Sequence, residues 1–300
     1  MACFTDKMNH IVRRPDPHLL LRGTDQHLFK AAAIRSPDHP TKIERATAMR
    51  NTSPSVLRFA TALALTAAAC TAGAHDGHTG GIKTQPSAKV QPAFDIFHTK
   101  ITTKGNMATF HVAVSGKAGA SKPQRSGKVA GSTVFSYVWP TSLDPSTAGF
   151  EPKSGTLAFA VTSHPDFDDT PLFDENGDGN PANDGSVWHS HWVVLQPDDA
   201  CGKGNLKVVD IPEGAKPRLP KTWAGFPILL DSPGWHPKFA GKTLDVNVPF
   251  DDIGALEGST FDGVTAVLRV NASVHAPLLC VPDVMKVASD DLSLPGKVNR

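Results

Sequence analysis

The sequence predicts an all-β protein, a β-sandwich of immunoglobulin-like or jelly-roll-like type with long loops. Short strand-like runs recur between turns rich in Gly, Pro and Asp, as they do in sandwich folds. After residue 74, no stretch has the sustained apolar period of about 3.6 residues that marks an amphipathic helix. The prolines, 25 of 300 residues, suit turns and sheet edges and disfavour helix interiors.

Strand-like runs begin after residue 93 and continue almost to the end of the chain. The runs 94–102 and 108–114 flank Lys104-Gly105-Asn106, which predicts a β-hairpin. Residues 115–131 are Gly, Ser, Lys and Ala without an apolar period, which predicts a loop. The later predicted strands are 133–139, 156–162, 187–195, 206–211, 226–230, 244–248, 264–274 and 278–287.

The chain is expected to consist of an N-terminal leader and one folded domain. Residues 1–48 are polar with little periodicity, which indicates either an over-extended gene start or a disordered extension. Residues 49–74 have the features of a signal peptide, with positive charge, an apolar stretch and Ala72-Gly73-Ala74 as the cleavage site. A flexible arm rich in Gly and Pro at 75–93 then leads to a single β-sandwich over 94–300.

This leader predicts a periplasmic or secreted protein. Its apolar stretch is shorter than the roughly 20 residues of a membrane-spanning helix, so no transmembrane span is expected. Cys70 leaves a lipid anchor open, but Ala67-Ala68-Ala69-Cys70 lacks the usual Leu of a lipobox, so anchoring is the less favoured alternative. Cys201 and Cys280 follow the cleavage site, and an exported chain most simply joins such a pair in one disulfide.

The charge of the mature chain argues against nucleic acid as a partner. Of 30 Lys and Arg residues and 29 Asp and Glu residues, 10 and 5 lie in residues 1–74, which leaves 20 against 24 and a net charge of −4. A weakly acidic chain has no basic field that would attract phosphates. No P-loop and no Gly-x-Ser-x-Gly elbow occurs either.

The strongest chemical signal lies between residues 174 and 195. An oxygen-rich loop has the Asp-x-Asn-x-Asp-Gly spacing in which alternate side chains turn inward onto a Ca²⁺ ion. Its twelfth position is Gly185 instead of the bidentate Glu of an EF-hand, and its flanks are not helical. The predicted calcium-type ligands are Asp174, Asn176, Asp178, Asn180 and Asp184.

This segment resembles the short calcium loops without flanking helices that occur on β-sandwich domains of secreted bacterial proteins. The resemblance covers about a dozen residues and implies Ca²⁺ bound weakly, with a Kd of roughly 10⁻⁴–10⁻³ M. The alternative is an Asx-rich surface turn, because Asp, Asn and Gly favour turns without any ion.

Two imidazoles follow this loop on a predicted strand. Side chains alternate along a strand, so His189 and His191 share one face and can bind one ion together. Zn²⁺ or another transition metal would need a third protein ligand. His275 is the first choice, at the end of a strand with a polar face, and His164 is the next. A pair of exposed histidines without a metal is the alternative.

The placing of two histidines on one strand and a third on another resembles the zinc strand of α-carbonic anhydrases. The resemblance implies a Zn²⁺ ion held by His189, His191 and His275 with water in the fourth position. Such an ion lowers the pKa of its water to roughly 7.

Three functions fit these signals. The favoured one is an exported metal-binding β-sandwich protein, with a calcium-type loop and a zinc-like His site, that handles metals or binds at a surface without catalysis. The second is a zinc-dependent lyase or hydrolase that uses the three-His site. The third is a carbohydrate-binding module with structural calcium, whose partner is a glycan or another cell-surface component. Its sugar-stacking residues would come from Trp139, Trp188, Trp192, Trp223 and Trp235.

Overall fold

The regular structure is almost entirely β-strand. The computed structural model describes residues 81–167, 174, 178–181, 186–273 and 276–299. Across those residues there are fourteen strands and only short 3-10 helices, and none of these helices has the length and apolar character to cross a membrane. In chain order the strands are β1 Ile82–Lys83, β2 Ile96–Lys104, β3 Met107–Val114, β4 Thr133–Pro140, β5 Thr156–Ser163, β6 His189–Pro197, β7 Leu206–Val208, β8 Leu230–Asp231, β9 Lys238–Ala240, β10 Thr243–Pro249, β11 Thr260–Phe261, β12 Val264–Val270, β13 Leu279–Val287 and β14 Gly296–Lys297.

One sheet is open and has five strands in the order β1-β2-β3-β10-β9. Its centre is the predicted hairpin, in which β2 and β3 pair antiparallel with Lys104 opposite Met107. The two residues between them form the turn, and Gly105 has a φ of 62°, a left-handed conformation that glycine adopts without steric cost. The hairpin prediction is therefore confirmed.

The second sheet closes on itself, so the predicted β-sandwich is wrong although the all-β class is confirmed. β4, β5, β6, β7, β13 and β12 each pair with the next, and β12 pairs with β4, which makes a closed six-stranded barrel. β8 adds to β6 beside β7. The closing pair is β5 with β6, whose register runs from Thr156 opposite Leu195 to Thr162 opposite His189.

The physical reason for closure is that several barrel strands are apolar on both faces. Residues 157–161 of β5 are all buried, and so are residues 192–195 of β6. A strand with one solvated face alternates apolar and polar residues, whereas a continuous apolar run indicates burial on both faces. In this fold one face points into the barrel and the other packs against the open sheet.

Two hydrophobic cores result from this arrangement. The first lies between the open sheet and the outer face of β4, β5 and β6, and it includes Phe110, Trp139, Phe159 and Trp192. Phe159 contacts both Phe110 and Trp192, with ring centroids 4.6 Å and 5.0 Å away. The second core fills the barrel with smaller side chains from all six strands: Val134, Ala158, Ala160, Val193, Leu195, Val208, Leu268, Val270 and Leu279.

Most long strands were predicted within a few residues, and the deviations lie at their ends. The run 264–274 is a strand only as far as Val270, and the run 226–230 contributes only the start of β8. Four short strands, β1, β9, β11 and β14, were not predicted because two or three residues carry no measurable period. β1 lies within the stretch assigned to the arm 75–93, and residues 1–80 are outside the described part.

Cys201 and Cys280 form the predicted disulfide. Cys201 ends a short 3-10 helix after β6, and Cys280 lies in β13. Their Cα atoms are 5.3 Å apart at a sequence separation of 79 residues, and both are buried. The bond ties the β6–β7 connection to β13, across the part of the barrel where β7 is only three residues long.

A buried hydrogen bond links the open sheet to the barrel and gives a first test. The Trp139 indole N–H donates to Thr99 Oγ1 over 2.9 Å, and both side chains are fully buried. Thr99→Val keeps the shape but leaves the indole only a contact of 3.4 Å to the His111 carbonyl. We expect the free energy of unfolding in urea to fall by about 1–3 kcal/mol, because the buried indole keeps only the longer hydrogen bond and the His111 carbonyl oxygen loses the bond from the Thr99 hydroxyl. Thr99→Ser is the control and should lose much less.

Candidate metal site

His189 and His191 lie side by side at the start of β6. Both are buried, with 2% and 1% of their surface exposed, and their ring centroids are 4.8 Å apart. Val193 and Leu195, which share their face of the strand, belong to the core inside the barrel, and Trp192 on the other face belongs to the outer core. The predicted facing of the two imidazoles is therefore observed, and they point toward the barrel interior.

His164 joins this pair from the end of β5. β5 and β6 are antiparallel with Thr162 opposite His189, so the residue two places after Thr162 comes beside His189. His164 is 1% exposed, and its ring centroid is 4.6 Å from that of His189. One ring nitrogen from each of His164, His189 and His191 lies within 4.8 Å of the others, so these three residues, the His triad, could hold a metal ion.

Backbone carbonyls orient all three rings. His164 Nδ1 is 2.7 Å from the Phe167 carbonyl oxygen, and His189 Nδ1 is 2.8 Å from that of Val187. His191 Nδ1 lies 3.3 Å from the Asp231 carbonyl oxygen and 3.1 Å from Ser232 Oγ. A carbonyl oxygen can only accept a hydrogen bond, so the Nδ1 atoms of His164 and His189 each carry a hydrogen, and their Nε2 atoms face away from these carbonyls. At His191 the Ser232 hydroxyl can either accept from Nδ1 or donate to it.

Two of these Nε2 atoms are very close together. The distance from His164 Nε2 to His189 Nε2 is 2.8 Å. Two lone pairs repel at that distance unless a cation, either a proton or a metal ion, lies between or beside them. Two nitrogens that each bind one ion at roughly 2.0–2.1 Å can be this close if the angle at the ion is near a right angle. Thr162 Oγ1 is 3.3 Å from His189 Nε2 and borders the same centre.

Neighbouring side chains hold the triad in place. The Phe167 ring stacks on His164 with centroids 4.2 Å apart and an interplanar angle of 8°.

Asp231 pairs with Trp192 across β8 and β6, so its carboxyl points to the opposite face of the sheet from His191. Burial raises the pKa of that carboxyl to about 6, against a smaller lowering by hydrogen bonds from Thr222 and Ser232.

Asp166, two residues after His164, holds a loop by hydrogen bonds. Its carboxylate accepts hydrogen bonds from the backbone N–H groups of Ser126 and Gly127 and from the Ser126 hydroxyl, at 2.8–3.0 Å. These bonds, first that from the Ser126 backbone, lower the pKa of Asp166. Asp166 therefore anchors the loop that precedes β4 and is not among the grouped ligands.

The calcium-type loop is described only in part. Asn176 and Asp184 lie outside the described residues, as does His275, the preferred third ligand of the sequence analysis. The Asp174 carboxylate accepts from the backbone N–H groups of Asp178, at 3.1 Å, and of Gly179, and Asp178 Oδ1 accepts from the Asn180 N–H at 2.8 Å. An Asx-rich turn makes such bonds with or without an ion, so calcium binding stays a prediction.

The five tryptophans do not form an exposed stacking face. Trp139, Trp188 and Trp192 are at most 6% exposed, and Trp223 and Trp235 are half-buried. Trp188 donates its indole N–H to the Gly119 carbonyl oxygen, and Trp223 donates to that of Ile228. Each of these rings anchors a core or a loop.

The sequence favours His275 over His164 as the third ligand because it does not say which strands are neighbours. A usable signal was present: His164 continues the alternation of Ala158, Ala160 and Thr162, the face that points into the barrel.

Comparison with protein-family models, with curated proteins and with solved structures gives no match for this chain. The geometry of the triad is therefore the main guide to function.

Proposed function

We propose that this protein is an exported metal-binding protein whose His triad holds one transition-metal ion, with Zn²⁺ as the reference ion. The observation that carries the proposal is that one ring nitrogen from each of three buried histidines lies within 4.8 Å of the others, while each Nδ1 lies within 3.3 Å of a backbone carbonyl oxygen. Metal-binding histidines typically donate their second ring N–H to a carbonyl or carboxylate, which fixes the ring and the tautomer.

The ligand type selects the class of ion. Imidazole nitrogens suit Zn²⁺, Cu²⁺, Ni²⁺ and Fe²⁺, whereas Ca²⁺ and Mg²⁺ prefer oxygen ligands. Three His ligands that leave a fourth position open are known from catalytic zinc sites. The triad therefore favours a transition-metal ion of intermediate softness. The predicted Ca²⁺ site is the separate loop that begins at Asp174.

The burial of the His triad favours a bound ion without catalysis over a catalytic ion. Each triad residue is at most 2% exposed, and the centre adjoins the apolar core inside the barrel. Substrate must reach the open position of a catalytic ion, whereas a stored or structural ion needs only its ligands. The disulfide between Cys201 and Cys280 suits a periplasmic or secreted location, because such bonds persist in oxidising compartments.

Elemental analysis of the purified protein tests this function. After dialysis against metal-free buffer, we expect the wild type to retain a transition metal that the double variant His189→Ala/His191→Ala has lost. His236→Ala, which removes an exposed imidazole, should retain the wild-type content. Equal metal content in the double variant and the wild type would refute the proposal. Ester hydrolysis or CO₂ hydration that disappears in the double variant would favour the lyase or hydrolase alternative.

A further inference from the structure

A second pair of imidazoles lies on the open sheet, away from the barrel strands that carry the His triad. His98 is on β2 and His111 is on the neighbouring β3, and their ring centroids are 5.5 Å apart with an interplanar angle of 59°. Asp245 on β10 is directly opposite His111 in the antiparallel register. Three adjacent strands thus bring two imidazoles and a carboxylate to one place.

The carboxylate orients the His111 ring. Asp245 Oδ1 is 2.7 Å from His111 Nδ1, so the Nδ1–H donates to the carboxylate. Nε2 of the neutral ring then keeps its lone pair and points away from Asp245. A carboxylate on the second nitrogen also raises the basicity of a ligating histidine, as it does in carboxylate–histidine–zinc arrangements.

The spacing of the two rings suits a shared ion. With metal–nitrogen distances of roughly 2.0–2.1 Å, two imidazoles on one ion have centroids roughly 4.5–5.5 Å apart for angles at the ion of about 90–120°. The observed 5.5 Å lies at the upper end of that range. Both residues lie on paired strands, although the register of β2 against β3 shifts between Ile96 and His98.

The pair is open to solvent in a way that the His triad is not. His98 and His111 are half-buried, and the side chains of His111 and Asp245 are 14% and 39% exposed. A groove of about 410 Å³ adjoins His98 and is lined by Lys83, Thr84, Gln85, Pro86, Phe97 and His98. The groove reaches the pair on its His98 side, since neither His111 nor Asp245 lines it.

We propose that His98 and His111 form a second, solvent-accessible site for a divalent transition metal such as Zn²⁺ or Cu²⁺, with Asp245 as a positioning residue. The site rests on residues of the open sheet and does not depend on the function proposed for the His triad. Two imidazoles and solvent oxygens bind an ion more weakly than three imidazoles, so this site fills after the buried one.

A Zn²⁺ titration of the full chain by calorimetry, with excess Ca²⁺ present, tests the second site. We expect His98→Ala/His111→Ala to lose one bound ion relative to wild type, and His236→Ala to lose none. Asp245→Asn should bind the same ion about 10–100-fold more weakly, because the loss of an outer partner has that effect on metal affinity. Unchanged binding in His98→Ala/His111→Ala would overturn the proposal.

Three further measurements separate this result from misfolding and from the His triad. If the double variant unfolds, His98→Gln takes its place, because it leaves the His111–Asp245 pair intact. We expect this single variant to lose the same ion, and retention of that ion would overturn the proposal. Cu²⁺ bound to His189→Ala/His191→Ala protein should show nitrogen hyperfine coupling in its electron paramagnetic resonance spectrum, because His98 and His111 remain in that variant. His189→Ala/His191→Ala should leave this ion in place whether or not the triad binds metal.

Discussion

We expect His164→Ala to lower the affinity for Zn²⁺ by more than about 100-fold, because the loss of even an outer partner of a ligand typically costs 10–100-fold. His164 Nε2 is 2.8 Å from His189 Nε2, so its removal leaves two imidazoles where three converge. Competition with a chromophoric chelator measures the affinity of the tight site. The effect should appear although His164 lies 25 residues from its nearest partner in sequence.

Two further variants show whether the loss of affinity is specific to a metal ligand. Ser232→Ala removes the hydroxyl beside His191 Nδ1 but leaves the Asp231 carbonyl oxygen, so a loss of about 10-fold is expected. His236→Ala should change nothing. Circular dichroism should give the same spectrum for all of these variants. Wild-type affinity in a folded His164→Ala protein would exclude His164 as a ligand.

Removal of the disulfide by Cys201→Ala/Cys280→Ala lowers the free energy of unfolding by about 4 kcal/mol in the loop-entropy model. The bond closes a loop with a sequence separation of 79 residues, and the unfolded chain gains most of its freedom when that loop opens. Urea unfolding monitored by tryptophan fluorescence measures the change.

Reductant provides the control for this prediction. Reduced wild type should unfold near the midpoint of the double variant, and reductant should not shift the double variant itself. A double variant as stable as the oxidised wild type would mean that the bond contributes nothing to folding. An equal loss in Cys201→Ala and Cys280→Ala single variants would show that pairing, not either side chain, is responsible.

The sequence allowed prediction of features that depend on neighbours along the chain. The alternation in 187–195 placed His189 and His191 on one face, and Lys104-Gly105-Asn106 located the β2–β3 turn, because both depend on local backbone geometry. The disulfide could be predicted because Cys201 and Cys280 are the two cysteines that follow the predicted cleavage site, so the leader hypothesis leaves no other pairing.

Features that depend on strand neighbours could not be predicted in this way. β5 and β6 are separated by 25 residues, and nothing local indicates that Thr162 lies opposite His189. The same pairing closes the barrel and brings in His164. One non-local contact therefore explains why the β-sandwich prediction is wrong and why the sequence favours His275 over His164 as the third ligand. The apolar run 157–161 was the one available sign, since it predicts burial on both faces.

X-ray absorption at the zinc edge tests the central claim, the convergence of three imidazoles on one ion, most directly. The sample is the His98→Gln protein with one equivalent of Zn²⁺, so that the site on the open sheet does not contribute. We expect three imidazole nitrogens at about 2.0–2.1 Å, reduced to two when His164→Ala is added. A shell of oxygens alone, or a nitrogen count unchanged by replacement of His164, His189 and His191, would contradict it.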